Sequence, residues 1–173
     1  MNFFHMKRLI LLSAALLFIG MNGHTQQQYA AYAAYHDRGG HTINGNVPLN
    51  EISIRAYRHF QKMFAGVSGE YWQKTEDGYI VSFVQHSFRN RAHFDLRGSF
   101  LYSEKFYGEK ELTGYTGPDV KRKYPDYRIG VVTEITNGVK TFYLLKIENH
   151  SSIKTISVVD GKMEVIEDLV NGG

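Results

Sequence analysis

Residues 71–84 read YWQKTEDGYIVSFV, and they contain the clearest structural pattern in the sequence. On both sides of Glu76-Asp77-Gly78, large apolar side chains alternate with smaller or polar ones, which is the period of a β-strand. An Asp-Gly pair suits a hairpin turn because glycine tolerates a positive φ. The stretch therefore predicts two antiparallel strands, at 71–74 and 79–84, joined by a tight turn.

Shorter strand patterns continue on the C-terminal side of this hairpin. We expect a turn at 88–91, a strand at 93–96, a turn at Arg97-Gly98 and a strand at 99–106. A second group of four strands is predicted at 129–135, 141–147, 153–159 and 162–166. Asn137-Gly138 and Asp160-Gly161 supply turns within that group, so the chain is expected to be rich in antiparallel sheet.

A helical pattern precedes each group of strands. In the first helix, apolar side chains recur at helical spacing, and they are Ile52, Ala56, Phe60, Met63 and Phe64. Asn50 or Ser53 could cap the start of this helix, and Gly66 could end it. A shorter helix is expected at 118–124, where Pro118 suits the first turn. The expected order is one helix and four strands, twice.

The two groups of elements align with each other at a nearly constant spacing. Three pairs lie 60 positions apart, namely Phe64 with Tyr124, Trp72 with Val132, and Gly78 with Gly138. After a small insertion the spacing becomes 63, as for Leu96 with Val159. Generic sheet patterning can produce such a match by chance, but the recurrence favours a tandem duplication. The fold class that follows is α+β, with two helix-plus-four-strand repeats.

The N-terminus has the pattern of an export signal. Lys7 and Arg8 precede an apolar run at 9–21, which is short for a membrane-spanning helix of about 20 residues. We expect a signal peptide at 1–25, with Ala31-Tyr32-Ala33 as an alternative cleavage site and an uncleaved anchor as the alternative structure. Residues 26–46 have no sustained period and are expected to form a flexible leader. The predicted location is periplasmic or secreted.

Charge and cysteine content exclude several classes of protein. The chain has 20 Lys and Arg against 17 Asp and Glu, and removal of Lys7 and Arg8 with the signal would leave a net charge of +1. This balance gives no support to nucleic-acid binding, which depends on many basic contacts to phosphates. There is no cysteine, so the fold is formed without disulfides and the protein carries no lipid-modified cysteine.

Several of the motifs occur together in one known family. They are Trp72 in the first strand, Asp77-Gly78-Tyr79-x-Val81-x-Phe83, Asp95-x-Arg97-Gly98, and in the second copy Lys123-Tyr124-Pro125-Asp126-Tyr127 and Asp160-Gly161. Over roughly residues 47–168, this combination resembles the beta-lactamase-inhibitor-like, or PepSY-like, family of exported Bacteroidetes proteins.

The resemblance implies tandem units whose sheets join edge to edge, with helices on one face and an open face on the other. It divides the chain into a first repeat at 47–107, a connector at 108–117 and a second repeat at 118–170. It also implies that many members have no assigned function. Inhibition of beta-lactamase belongs to the namesake inhibitor, and no motif in this chain indicates it.

Catalytic and metal-binding motifs have little support. Two histidine pairs could be considered for a metal, His36 with His41 in the leader and His86 with His93 on neighbouring predicted strands, but neither has an obvious third ligand. The segment 66–70 follows a helix rather than a strand and lacks the last glycine of a nucleophile elbow. There is no phosphate-binding glycine loop. We therefore expect no enzyme activity, no metal and no cofactor.

The predicted open face of the sheet is the best candidate for a binding surface. If Trp72, Val81 and Phe83 face the helix, the residues between them face the other way. The candidate partner-binding residues are Tyr71, Gln73, Ser82, His86, Arg91, His93 and Tyr143. Leu145 and Ile147 are expected beside Tyr143, although an error of one residue in register would exchange the faces.

These observations favour a non-enzymatic module that binds an envelope or extracellular protein. Aromatic, arginine and histidine side chains on one sheet face resemble the composition of protein interfaces. Simple packing at the edge of the core is the competing explanation for the same residues. The alternative functions are a periplasmic small-ligand or stress sensor and a metal-dependent envelope enzyme that uses His86 and His93.

Overall fold

The computed structural model describes residues 47–170, so the predicted signal peptide and leader lie outside the described residues. Two helices occur in this part, α1 at Ile54–Met63 and α2 at Thr116–Lys123, together with 3-10 turns at Leu49–Glu51 and Glu109–Glu111. None of the described helices is both long and apolar enough to cross a membrane.

Eight strands form one antiparallel sheet. Their bounds are β1 Ser68–Lys74, β2 Gly78–Gln85, β3 Phe88–Asp95, β4 Phe100–Tyr107, β5 Arg128–Thr136, β6 Thr141–Glu148, β7 Ser152–Val159 and β8 Lys162–Val170. Each strand pairs with the next one along the chain, from β1 at one edge to β8 at the other. The predicted antiparallel sheet is thus confirmed, and the element order is helix, four strands, helix, four strands.

The first core lies between α1 and strands β1 to β3. Trp72 on β1 contacts the ring of Phe60 on α1 edge to face, with ring centroids 5.4 Å apart, and it stacks against Phe94 on β3. Val81 and Ala92 fill the sheet beneath them and are fully buried. Alternation along the strands places these residues on one face of the sheet, and α1 covers that face with its own apolar side chains.

The second core lies under α2 on the same face of the sheet. Val120 is the buried apolar contact of this short helix, and it packs with Val132, Leu145 and Ile156 from three neighbouring strands. The predicted helix at 118–124 begins two residues earlier, at Thr116. Gly117 is buried against Leu112, which allows the helix to approach its connector closely.

One predicted turn is wrong. The segment 88–91 belongs to β3, and the strand expected at 93–96 begins at Phe88 and ends before Leu96. The chain reverses instead at His86 and Ser87, which both have positive φ angles of 50° and 67°. These angles are those of a type I′ turn, the usual two-residue hairpin connection. The sequence pattern did not predict a strand here because the polar residues Arg89-Asn90-Arg91 are typical of a loop.

The two halves of the sheet meet where β4 pairs with β5. Five residues of each strand pair here, and the hydroxyl of Tyr107 on β4 donates a hydrogen bond of 2.6 Å to Glu134 Oε2 on β5. Burial and this hydrogen bond raise the pKa of Tyr107 well above its usual value of about 10. Both effects favour the neutral phenol in the folded state.

Replacement of Tyr107 by phenylalanine should therefore change how stability depends on alkaline pH. A pKa raised by folding stabilises the protein below the unfolded-state value of about 10, and this stabilisation is lost as the pH rises above it. Urea unfolding between pH 8 and 11 should show a decline for the wild type that is shallower in Tyr107→Phe. Parallel curves for the two proteins would contradict a raised pKa of Tyr107. The remaining tyrosines are common to both proteins, so their titration does not contribute to the difference.

Candidate functional site

The open face is the side of the sheet opposite α1 and α2, and within residues 47–170 no helix packs on it. Strand register aligns side chains on this face into two rows. The first row runs from Tyr71 through Ser82 and Arg91 to Glu104, and the second consists of Gln73, Ile80, His93 and Tyr102. Five of the seven predicted binding residues therefore lie together on strands β1 to β3.

Tyr71 and Arg91 of the first row are accessible, whereas Glu104 at its end and most of the second row are buried. Tyr71 is 39% exposed and the Arg91 side chain 45% exposed. His93 is only 4% exposed, and its ring stacks on Tyr102 with centroids 4.2 Å apart. A partner approaching this face would meet the tyrosine and the arginine first, and the histidine supports the surface from below.

His86 does not join this surface. It occupies the β2–β3 turn. His93 lies within β3, five residues after the first residue of that strand, and pairs with Ile80. Five residues of extended chain span about 16 Å, which is too far for two ligands of one metal ion. The predicted pairing of the two histidines on neighbouring strands is wrong. In the described part of the chain, no group of three or more metal-ligating residues is present.

Tyr143 lies on the opposite face of the sheet. It pairs with Glu134 on β5, and its neighbours Leu145 and Ile147 belong to the second core beneath α2. The expectation that these three residues extend the open face is wrong. Alternation could not identify the inner face of β6, because Leu144 and Leu145 are both buried apolar residues, one on each side.

A buried carboxylate is the main feature that the sequence did not reveal. Glu104 is 1% exposed, with Oε2 lying 3.4 Å from His93 Nε2 and 4.0 Å from Arg91 Nη1. Neither carboxylate oxygen accepts a hydrogen bond from the described residues. A charge in this position is costly unless positive groups lie near it. The polar Ser103-Glu104-Lys105 sequence is typical of a solvent-exposed segment, so the burial of Glu104 is apparent only from the structure.

An open groove of about 570 Å³ adjoins the first row. Its lining residues are Ser82, Arg89, Asn90, Arg91, Phe106, Tyr107, Gly108, Gly130 and Val131. The Arg91 guanidinium lies over the Phe106 ring, 5.3 Å from the ring centroid, which directs the arginine along the groove. The groove lies at the end of the β4–β5 pairing. Tyr107, the last residue of β4, pairs with Val132, so the first residues of β5, from Arg128, extend beyond β4.

The arrangement offers hydrogen-bond donors and aromatic surface. Arginine donates in a planar fork that suits carboxylates and phosphates, and tyrosine presents a large ring with a polar end. Ser82 lies between Tyr71 and Arg91, and its hydroxyl makes no side-chain hydrogen bond within residues 47–170. These groups are suited to noncovalent contacts with a ligand or partner.

Comparison with known proteins gives matches at the level of structure. No family model and no curated protein sequence matches this chain. A BLIP-like protein from Bacteroides fragilis is 14% identical, with a TM-score of 0.61 over 73% of this chain and 91% of that chain. A DUF2874 family protein from Bacteroides ovatus is 14% identical, with a TM-score of 0.59 over 66% of this chain and 88% of that chain.

A candidate periplasmic protein from Bacteroides eggerthii gives a similar result. It is 15% identical, with a TM-score of 0.57 over 69% of this chain and 88% of that chain. Identities this low show a shared fold and nothing finer. They support the beta-lactamase-inhibitor-like fold that the sequence motifs imply.

Proposed function

We propose that this protein is an exported, non-enzymatic module that binds another protein through its open face. The observation that carries the proposal is the row of Tyr71, Ser82 and Arg91, which places an exposed aromatic ring and a guanidinium on one surface. Tyrosine and arginine are enriched among the residues that dominate binding energy at protein interfaces. The partner is an envelope or extracellular protein.

The fold comparisons support this proposal without identifying the partner. One of the similar structures comes from a BLIP-like protein and another from a candidate periplasmic protein. We infer on the same basis that residues 1–25 are a signal peptide and that the protein is periplasmic or secreted. We also infer that 47–107 and 118–170 are tandem PepSY-like repeats, since both contain a helix followed by four strands.

The experiment compares two double variants, each of which truncates a tyrosine and a cationic side chain, on opposite faces of the sheet. Tyr71→Ala with Arg91→Ala alters the open face, whereas Tyr143→Ala with Lys105→Ala removes a tyrosine and a cation from the helix-bearing face. Residues 26–173 of each are immobilised and exposed to envelope extract of the source cells. Retained proteins are identified by mass spectrometry, and affinity is then measured with the purified partner.

The open-face variant should bind the partner at least about thirtyfold more weakly, since interface hot spots contribute about 2 kcal/mol or more. The helix-face variant should bind as the wild type does. Circular dichroism and urea unfolding establish that both variants are folded. Equal affinity of two folded variants would refute the assignment of the surface. Retention of a small molecule or metal in place of a protein would favour the sensor or metal-dependent alternatives.

A further inference from the structure

We propose that the groove beside Arg89 and Arg91 binds the carboxylate of an acidic side chain in an extended peptide segment of the partner. This inference rests on the proposed function and specifies the chemistry of one contact. It depends on three features of the described residues, which are unused arginine donors, the local balance of charge and the apolar walls of the groove.

The two arginines have donors available for a ligand. Arg89 and Arg91 alternate along β3, so both point to the open face about 7 Å apart. Among residues 47–170, neither guanidinium donates a hydrogen bond, and the contact of Arg91 with Glu104 at 4.0 Å is too long for one. Stacking over Phe106 holds the Arg91 guanidinium in place, which reduces the entropy that a ligand contact would cost.

The charge near the groove favours an anion. Glu104 is buried beside Arg91, with 4.0 Å between Glu104 Oε2 and Arg91 Nη1, but no acidic group in the described chain pairs with Arg89. Glu148 approaches the groove near Gly130, and Arg128 neutralises it through a salt bridge of 2.7 Å. Exposed Lys146 pairs with Val131 across the strands and adds a positive charge at the rim. The groove is therefore positive on balance.

The walls of the groove indicate a peptide rather than a free anion. Val131 is 47% exposed and the Phe106 ring lines the same groove, so apolar surface lies next to the guanidinium groups. A volume of about 570 Å³ is within the range of about 300–1,000 Å³ that ligand sites occupy, and it exceeds the needs of one carboxylate. An aspartate or glutamate flanked by aliphatic or aromatic residues fits both features.

The test is an NMR titration of ¹⁵N-labelled protein with a capped Phe-Asp-Leu tripeptide and its Phe-Asn-Leu counterpart. The Nε–Hε signals of Arg89 and Arg91 should shift with the aspartate peptide, together with the amides of Gly130 and Val131. The asparagine peptide should bind at least about tenfold more weakly, because it lacks the charge that strengthens such hydrogen bonds. Inorganic phosphate is titrated separately and should bind more weakly than the aspartate peptide.

Two variants and a matched control distinguish the arginine fork from charge alone. Arg89→Gln removes a charge that has no ion pair in the described residues, and Lys162→Gln removes an equal charge on β8, outside the groove. Arg91→Lys keeps a positive charge beside buried Glu104 and loses the planar fork. Arg89→Gln and Arg91→Lys should each weaken peptide binding about tenfold, with Lys162→Gln unchanged.

Several outcomes would overturn the inference. They are equal binding of the two peptides, equal or tighter binding of phosphate, and unchanged affinity in both folded arginine variants. Failure of the inference leaves the proposed function testable, because the purified partner would still lose affinity for the Tyr71/Arg91 variant while binding Arg89→Gln normally. Conversely, peptide binding at the arginines with no partner retained by the open face would refute the proposed function and preserve the groove as a peptide site.

Discussion

Replacement of Trp72 by alanine is expected to lower the free energy of unfolding by about 3–5 kcal/mol. The ring is 2% exposed and contacts Phe60 and Phe94, so alanine would leave a cavity between α1 and the sheet. Domains of this size have a total stability of about 5–15 kcal/mol, so a large part of it would be lost. Urea unfolding followed by circular dichroism measures the change, since Trp72 is the protein's only tryptophan.

Tyr71→Ala is the matched control because it truncates a large ring at the adjacent position on the opposite face. Tyr71 is partly exposed, so its loss should change stability by well under 1 kcal/mol. Leu145→Ala creates a cavity in the second core and should cost about 2–5 kcal/mol. A small effect of Trp72→Ala, similar to that of Tyr71→Ala, would show that the packing around α1 is not the main source of stability.

Replacement of Gly78 by alanine is expected to lower the free energy of unfolding by about 3 kcal/mol, the upper part of the range for an overpacked site. A Cβ atom at Gly78 would lie 1.9 Å from the backbone oxygen of Phe94, so the paired backbone of β2 and β3 would have to separate. The sequence suggested another reason for this glycine. Its φ is not in the positive range, although the Asp-Gly pattern is typical of such turns.

Gly138 provides the contrast for this prediction. It lies in the β5–β6 turn with a φ of 87°, and no atom lies within 4 Å of a Cβ placed there. Gly138→Ala should therefore cost only the strain of a positive φ, about 1–2 kcal/mol. Thermal unfolding of both variants measures the difference. Equal effects would show that close approach of the backbone is not what requires glycine at position 78.

Local sequence patterns are sufficient to predict α1, the β1–β2 hairpin and the strands of the second half. The hairpin at 71–84, the helix ending before Gly66 and the antiparallel sheet all follow from periodicity, because one face of each element packs on apolar neighbours. The pattern failed at β3, where Arg89, Asn90 and Arg91 are polar on both faces. A strand with polar residues on both faces has no hydrophobic alternation from which it could be predicted.

The candidate site was predictable only in part, for the same reason. The placement of Tyr71 and Ser82 follows from alternation along β1 and β2, and Arg91 joins them because it pairs with Ser82. Tyr143 was misplaced because β6 is apolar on both faces. The burial of Glu104 and the groove at the end of β4 depend on how β4 pairs with β3 and β5, and alternation within a single strand contains no information about that pairing.

The strictly sequential order of the sheet has a kinetic consequence. Because every strand pairs with its neighbour in the chain, most contacts connect residues that are close in sequence, and closing such short loops costs little entropy. Proteins with mainly local contacts fold faster than those whose strands must wait for distant partners. The first four strands and α1 can therefore pair and pack while the C-terminal strands are still being synthesised, and β8 completes the sheet by adding to an edge that is already formed.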